Sequence, residues 1–231
     1  MPRIPVSEAN ARSKPLRSDG TAAHVERILT NAEADSLATS DDDMVASWQR
    51  SANTHCIDPA SREAPRILTT SELTALREPL AKLIIEARGE LDRLFSVVRH
   101  AHYTVLLCDH HGIAVEHRNE EALGDQFKFW GPWLGGVWSE EVEGTNGIGT
   151  CIAEKRPITV HLSQHFRARH ITLSCSGAPI FDCDGEVAAV LDVTSIDPQI
   201  SERSHAITGA LTEVSARAIE ERWFRDRFRR E

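Results

Sequence analysis

The sequence predicts an α+β fold: an antiparallel sheet with flanking helices, preceded by an N-terminal helical extension. Two hairpin signals and one helical stripe carry that expectation. The first hairpin is Tyr103–Cys108, the turn Asp109-His-His-Gly112 and the return Ile113–His117. The second is Ile171–Phe181, the reversal Asp182-Cys-Asp-Gly185 and Glu186–Thr194. Apolar runs joined by an Asp- and Gly-containing turn favour tight reversals. The stripe comprises Leu80, Leu83, Ile84, Ala87, Leu91, Leu94, Phe95 and Val98, which share one helical face within a stretch running from Ser71 to Val98 and weakened only at Gly89.

In chain order, residues 1–20 are rich in Pro, Arg and Ser without an apolar period, and read as a flexible tail. Residues 21–78 form a helical region. Val25, Ile28, Leu29 and Leu37 are loosely helical, Asp41-Asp42-Asp43 place acids at the start of a helix carrying Met44, Val45 and Trp48, and Asp58-Pro59 closes the piece. Residues 79–200 hold the sheet. Glu120–Val142 is turn-rich and contains Trp130, Trp133 and Trp138, an aromatic density suited to packing over something. From Gly144 to Pro157 the glycines loosen a loop, Asn146 can accept from the first free amides of a short helix, and Pro157 stops that helix. Ile158–Val160 reads as a third strand and His161–His170 as a polar connection.

On the last strand Val187, Ala189, Leu191 and Val193 share one face, and Ala188, Val190, Asp192 and Thr194 the other. Both faces are largely apolar, so the strand is expected to be central and covered on each side, with Asp192 the odd residue. It reads as a strand-end anchor or an acid in a pocket. Residues 201–231 form a terminal helix with Ile207, Leu211, Val214 and Ala218 at heptad-like spacing.

The chain of 231 residues has no run of eighteen apolar residues and no signal segment after Met1, so the expectation is a cytoplasmic protein with no membrane contact. A formal charge of −9 disfavours nonspecific polyanion binding, and no direct DNA binding is expected. Cys56, Cys108, Cys151, Cys175 and Cys183 are odd in number and lack CxxC spacing, which points to reduced thiols.

Taken together, Gly144-Thr-Asn-Gly-Ile-Gly149, Cys175-Ser-Gly-Ala-Pro179, Asp184-Gly185 and Val187–Asp197 resemble the GAF domain of sigma-54-dependent activators of the acetoin-catabolism and dihydroxyacetone type. Upstream, Val45-Ala-Ser-Trp48-Gln-Arg50 and Ile57-Asp58-Pro59 are similar to the helix that precedes that domain, so the resemblance covers about residues 40–225. It implies helices on one side of the sheet, a cavity for a small effector on the other, and a signal passed through terminal helices to a regulator or transcription-machinery partner. Such activators continue into an ATPase and a helix-turn-helix; here neither signature occurs, since no Lys-Ser or Lys-Thr follows Gly144–Gly149. The expectation is a sensor working alone, or a shortened relative of a longer activator.

Several residues are candidates for a ligand site: Trp130, Trp133 and Trp138 as an apolar wall or as loop core; Thr145, Asn146 and Thr150 as polar recognition groups or helix caps; Cys151 and Cys175 as pocket thiols or small buried hydrophobes; and His165. His161, His165 and His170 could hold a metal or haem iron, or be solvated loop residues; the second reading is preferred, and no metal or catalytic residue is assigned. No cofactor follows from the sequence. Glu140, Glu141 and Glu143 read as a solvated acidic stretch. Arg222, Arg225, Arg227, Arg229 and Arg230, interleaved with Trp223, Phe224 and Phe228, read as charge at a helix end; this helix and the 80–98 stripe could bundle across a twofold axis as a homodimer. The function expected is reversible sensing of a small effector in transcriptional regulation. The alternatives are a thiol enzyme like the GAF-type reductases of free methionine sulfoxide, and a remnant that binds nothing.

Overall fold

The computed structural model describes residues 18–33 and 43–228. The expectations for the tail before Ser18, for Leu37, Asp41 and Asp42, and for Arg229 and Arg230 lie outside the described residues, as do the side chains of Arg227 and Phe228. Helices α1 (Ser18–Glu33) and α2 (Asp43–Gln49, followed by a π-helical turn to Thr54) form an N-terminal arm. Then come α3 (Thr70–Arg77), α4 (Ala81–Val98), β1 (Tyr103–Asp109), β2 (Ala114–Arg118), α5 (Gly124–Trp130), α6 (Glu140–Glu143), α7 (Gly147–Glu154), β3 (Ile158–His161), β4 (Ser174–Phe181), β5 (Val187–Ser195) and α8 (Glu202–Phe228).

The sheet is five-stranded and antiparallel in the order β2-β1-β5-β4-β3. Both expected hairpins form, and β5 is the central strand, buried on both faces from Ala189 to Ser195. One face carries Val105, Leu107, Val115, Ile180, Leu191 and Val193 against Leu83, Ile84, Ala87, Leu91 and Leu94 of α4 and Ala216 and Ile219 of α8. The 80–98 stripe is thus consumed by the sheet core and is not free to form half of a twofold bundle. The opposite face carries Leu106, Cys108, Cys175 and Val190, covered by α7, Trp138 and the 162–173 connection.

Three expectations are corrected. The helical stretch from Ser71 to Val98 breaks at Glu78–Leu80, because Pro79 lacks an amide to donate and its ring blocks the preceding turn. A capping box between Thr69 and Glu72 starts α3. The stripe on the last helix is divided: Ile207 and Val214 are 63% and 60% exposed while Leu211 packs at the edge of the core, and α8 docks mainly through His205, Thr208, Thr212, Ser215, Ala216 and Ile219. That face is polar because it meets polar partners. His205 lies 3.0 Å from the Tyr103 hydroxyl and 3.2 Å from Ser176 Oγ, and Glu90, buried in α4, is bonded by Arg93 and ion-paired with Arg222 of α8. Finally, Ile171–Leu173 turn rather than extend, and β4 begins at Ser174.

Helix α7 lies on the sheet backbone to backbone. A Cβ on Gly177 would collide with the Gly147 carbonyl, and one on Gly147 would stand 2.8 Å from Cys175 Cβ and 3.0 Å from Asp192 Oδ1. Gly177→Ala is therefore expected to lower stability by about 1–3 kcal/mol through overpacking, measured by chemical denaturation; a change within error would show that α7 can lift away at no cost.

Candidate functional site

Under α7 the sheet presents a row of buried polar side chains. Asp192 is fully buried opposite Gly177 in the β5–β4 register, and Thr194 is opposite Cys175. Thr194 Oγ1 is 2.5 Å from Asp192 Oδ2 and 3.3 Å from Cys175 Sγ, which lies 3.2 Å from His165 Nε2. His165 Nδ1 is 2.9 Å from the Leu162 carbonyl. A carbonyl only accepts, so Nδ1 carries the ring proton, Nε2 is an acceptor, and Cys175 donates to it. Thr194 Oγ1 donates to Asp192 Oδ2, with Cys175 Sγ also within its reach, so the row runs unbroken from the carboxyl to the Leu162 carbonyl.

Burial pushes Asp192 up to about 7 and His165 down to about 3, and burial beside Asp192 pushes the Cys175 thiol well up. Cys151 on α7 is likewise raised by burial and by Asp192. These are neutral, poorly nucleophilic thiols. Among the described residues Asp192 Oδ1, the oxygen not used in the row, has no hydrogen-bond partner, and neither has either ring nitrogen of His170. His170 is fully buried against Trp138, ring centroids 5.0 Å apart, and Nε2 is 3.7 Å from Glu143 Oε2. Arg167 Nε lies 3.4 Å from the same carboxylate oxygen and its Nη2 donates to the Val142 carbonyl.

The predicted candidates separate into two groups. Trp138, Cys151, His165 and Cys175 come together around the row, with Trp130 half-buried at its margin. Thr145, Asn146 and Thr150 form a junction with the arm. Asn146 caps α7, accepting from Ile148 N and Gly149 N and donating to the Trp138 and Gly144 carbonyls. Thr145 and Thr150 lie 2.7 and 3.0 Å from Ser47 Oγ. Trp133 stands apart, edge-on to His117 beside β2.

Two readings of the connection and the acids are corrected. His165 and His170 are wholly buried rather than solvated, because the 162–170 segment folds inward under the arm. Glu140 and Glu143 are 6% and 3% exposed and paired with Arg50 and Arg167, leaving only Glu141 in solvent. Helix α7 ends at Lys155, in the left-handed region at φ 52°, two residues before Pro157. Among the described residues no group of three or more His, Cys, Asp and Glu is placed to hold a metal, and no helix is long and apolar enough to cross a membrane. Missed by the sequence reading were Thr194, Ser47 and Arg167; an acid on a doubly covered strand was the available signal for the row.

The GAF domain model matches residues 87–219, from the middle of α4 into α8. The chain belongs to the GAF family. It is 32% identical over 174 residues to the acetoin catabolism regulatory protein of Cupriavidus necator, covering 75% of this chain and 26% of that protein. It is 28% identical over 180 residues to the propane 2-monooxygenase operon transcriptional activator MimR of Mycolicibacterium smegmatis, covering 77% of this chain and 29% of that one. The chain thus spans little more than a quarter of the length of these curated relatives. Among solved structures it resembles the E. coli DhaR(N)-DhaL complex with a TM-score of 0.69 at 12% identity, over 81% of this chain and 64% of that one, a likeness of fold. This GAF domain is homologous to regions of transcriptional activators.

Asp192 and the buried histidines act on stability with opposite sign. A carboxyl raised from 3.8 to about 7 by folding contributes stability that is present below its unfolded value and is lost as pH rises to about 7. Histidines held neutral lose stability as pH falls below 6.5. Subtracting the pH–stability profile of Asp192→Asn from that of the parent isolates the first effect: the difference is expected to move in the mutant's favour between pH 4 and 7 and to flatten above. A flat difference throughout would show that Asp192 is ionised in the folded state.

Proposed function

We propose that this GAF domain is a sensor for transcriptional regulation, and that its effector is a small neutral molecule held over the central strand. The observation that carries this reading is Asp192, a buried carboxyl at the centre of the sheet, raised by burial to about 7, whose second oxygen has no hydrogen-bond partner among the described residues. That oxygen is an acceptor and calls for a donor such as a hydroxyl, while Trp138, Ile148 and Val190 supply an apolar surround. A charged effector would bring a desolvated charge into a row that burial holds toward its neutral forms. Binding would favour one arrangement of α7 and the flanking segments, which a partner reads. The relatives' place in acetoin catabolism and propane oxidation fits short oxygenated carbon compounds. DhaR(N) shows that a protein of this fold can engage another protein.

Native mass spectrometry of freshly purified protein, followed by denaturing release, is expected to reveal a discrete small organic mass. Thermal-shift screening with acetoin and short diols is expected to raise Tm by about 5 °C at saturation, and Asp192→Asn to abolish the shift. A protein that carries nothing and responds to none of these overturns the reading.

The same proposal includes a homodimer, supported by Ile207 and Val214, one heptad apart on the outer face of α8. Light scattering at micromolar concentration is expected to give a dimer that becomes monomeric with Ile207→Glu and Val214→Glu combined; a monomeric parent rules the dimer out.

A further inference from the structure

The segment that carries His165 has its outward-facing carbonyls occupied by the N-terminal arm. Arg27 of α1 donates to the Ser163 carbonyl. Trp48 Nε1 of α2 donates to the Gln164 carbonyl at 2.8 Å, and His24 Nε2 to the Phe166 carbonyl at 3.1 Å. Each donor is more than 110 residues from its acceptor in sequence. Consecutive residues of the segment point opposite ways. His165 turns inward to Cys175, and Phe166 turns outward into a small apolar cluster with Ile28 and Trp48. Phe166 also fills the space over Gly144, where a Cβ would meet it at 2.7 Å.

The arm grips the other side of the roof as well. Ser47 Oγ, fully buried, donates to Glu140 and lies within hydrogen-bonding distance of Thr145 and Thr150. Arg50 pairs with Glu140 and, at 2.7 Å, with Glu154 at the end of α7. Downstream, the Pro59 carbonyl accepts from Ala168 N, and Arg169 donates to the Glu63 carbonyl. The same arm therefore bonds both segments that enclose the polar row. Without the arm the 163–166 segment would keep only the His165–Cys175 contact, the Phe166 amide bond to the Thr145 carbonyl and its local turn, and its outer carbonyls would be returned to water.

We propose that the N-terminal arm is a strap that gates the buried row: docked, it holds His165 on Cys175 and closes the site, and undocked, it frees the 162–170 segment and opens it. This rests on the reading of that row as the effector site and adds its regulation. An effector that needs the roof displaced would lower the arm's affinity for its seat, and one sealed beneath it would raise it; by reciprocity, whatever pulls on the arm alters effector affinity by the same factor. The arm is then a signal route toward the N-terminus, separate from α8.

Thiol labelling tests this on the full chain with no effector present, so its failure is distinct from a failure to find a ligand. Cys56 and Cys183, both exposed, are first replaced by Ser. Labelling by iodoacetamide is followed at Cys175, and amide exchange of Leu91 and Leu94 on α4, buried against the opposite face of the sheet, reports global unfolding. Ser47→Ala is expected to speed labelling of Cys175 about tenfold with that exchange unchanged, and Trp48→Phe, which removes one hydrogen bond and keeps an aromatic ring, about threefold. Acceleration of labelling and exchange together, or of neither, overturns the proposal; Trp48→Phe carries the test alone if Ser47→Ala fails to fold.

Discussion

The backbone contact between the first turn of α7 and the middle of β4 sets the conditions for everything on that face of the sheet. It requires Gly147 on the helix and Gly177 on the strand, since a side chain at either would hold the two apart. The closeness removes water from Asp192, and dehydration rather than a neighbouring charge is what makes this carboxyl an acid of about 7. Asp192, Thr194, Cys175 and His165 then form a polar run that ends at a backbone carbonyl. One steric fact therefore raises the carboxyl's titration toward neutrality and leaves its other oxygen without a partner among the described residues.

The two faces of the sheet do different work. Toward α4 and α8 the interlocking Leu, Ile and Val side chains make a dry, close-packed layer with little freedom to move. Toward α7 the cover is largely irregular backbone, held by hydrogen bonds to and from residues 24–63. Hydrogen bonds from a separate arm are individually weak and can be exchanged for water, whereas an apolar core cannot be opened piecemeal. A responsive site and a rigid frame are thus placed on opposite sides of one sheet.

Much of this was legible locally. The hairpins follow from alternating strands and Asp-Gly turns, the cap of α7 from Asn146, and the central position of β5 from a strand apolar on both faces. Errors fell where a residue's partner is far away in sequence. Glu140 and Glu143 look solvated until Arg50 and Arg167 arrive. Polar residues on α8 look exposed and apolar ones look buried, but the docking surface offers Tyr103, Ser176 and Glu90, so the helix turns its hydroxyls and His205 inward. His165 and His170 occur in a string of polar residues and are buried only because that string is folded under an arm.

By itself, then, the sequence determined the elements, their antiparallel pairing and the family resemblance, because these depend on periodicity, turn chemistry and short-range capping within a few residues. Tertiary structure alone decided which acid is desolvated, which histidines are dry and which segment covers them. Those properties depend on desolvation and on hydrogen bonds spanning about a hundred residues or more, and no local pattern encodes the distance between two segments that meet only when the chain is folded.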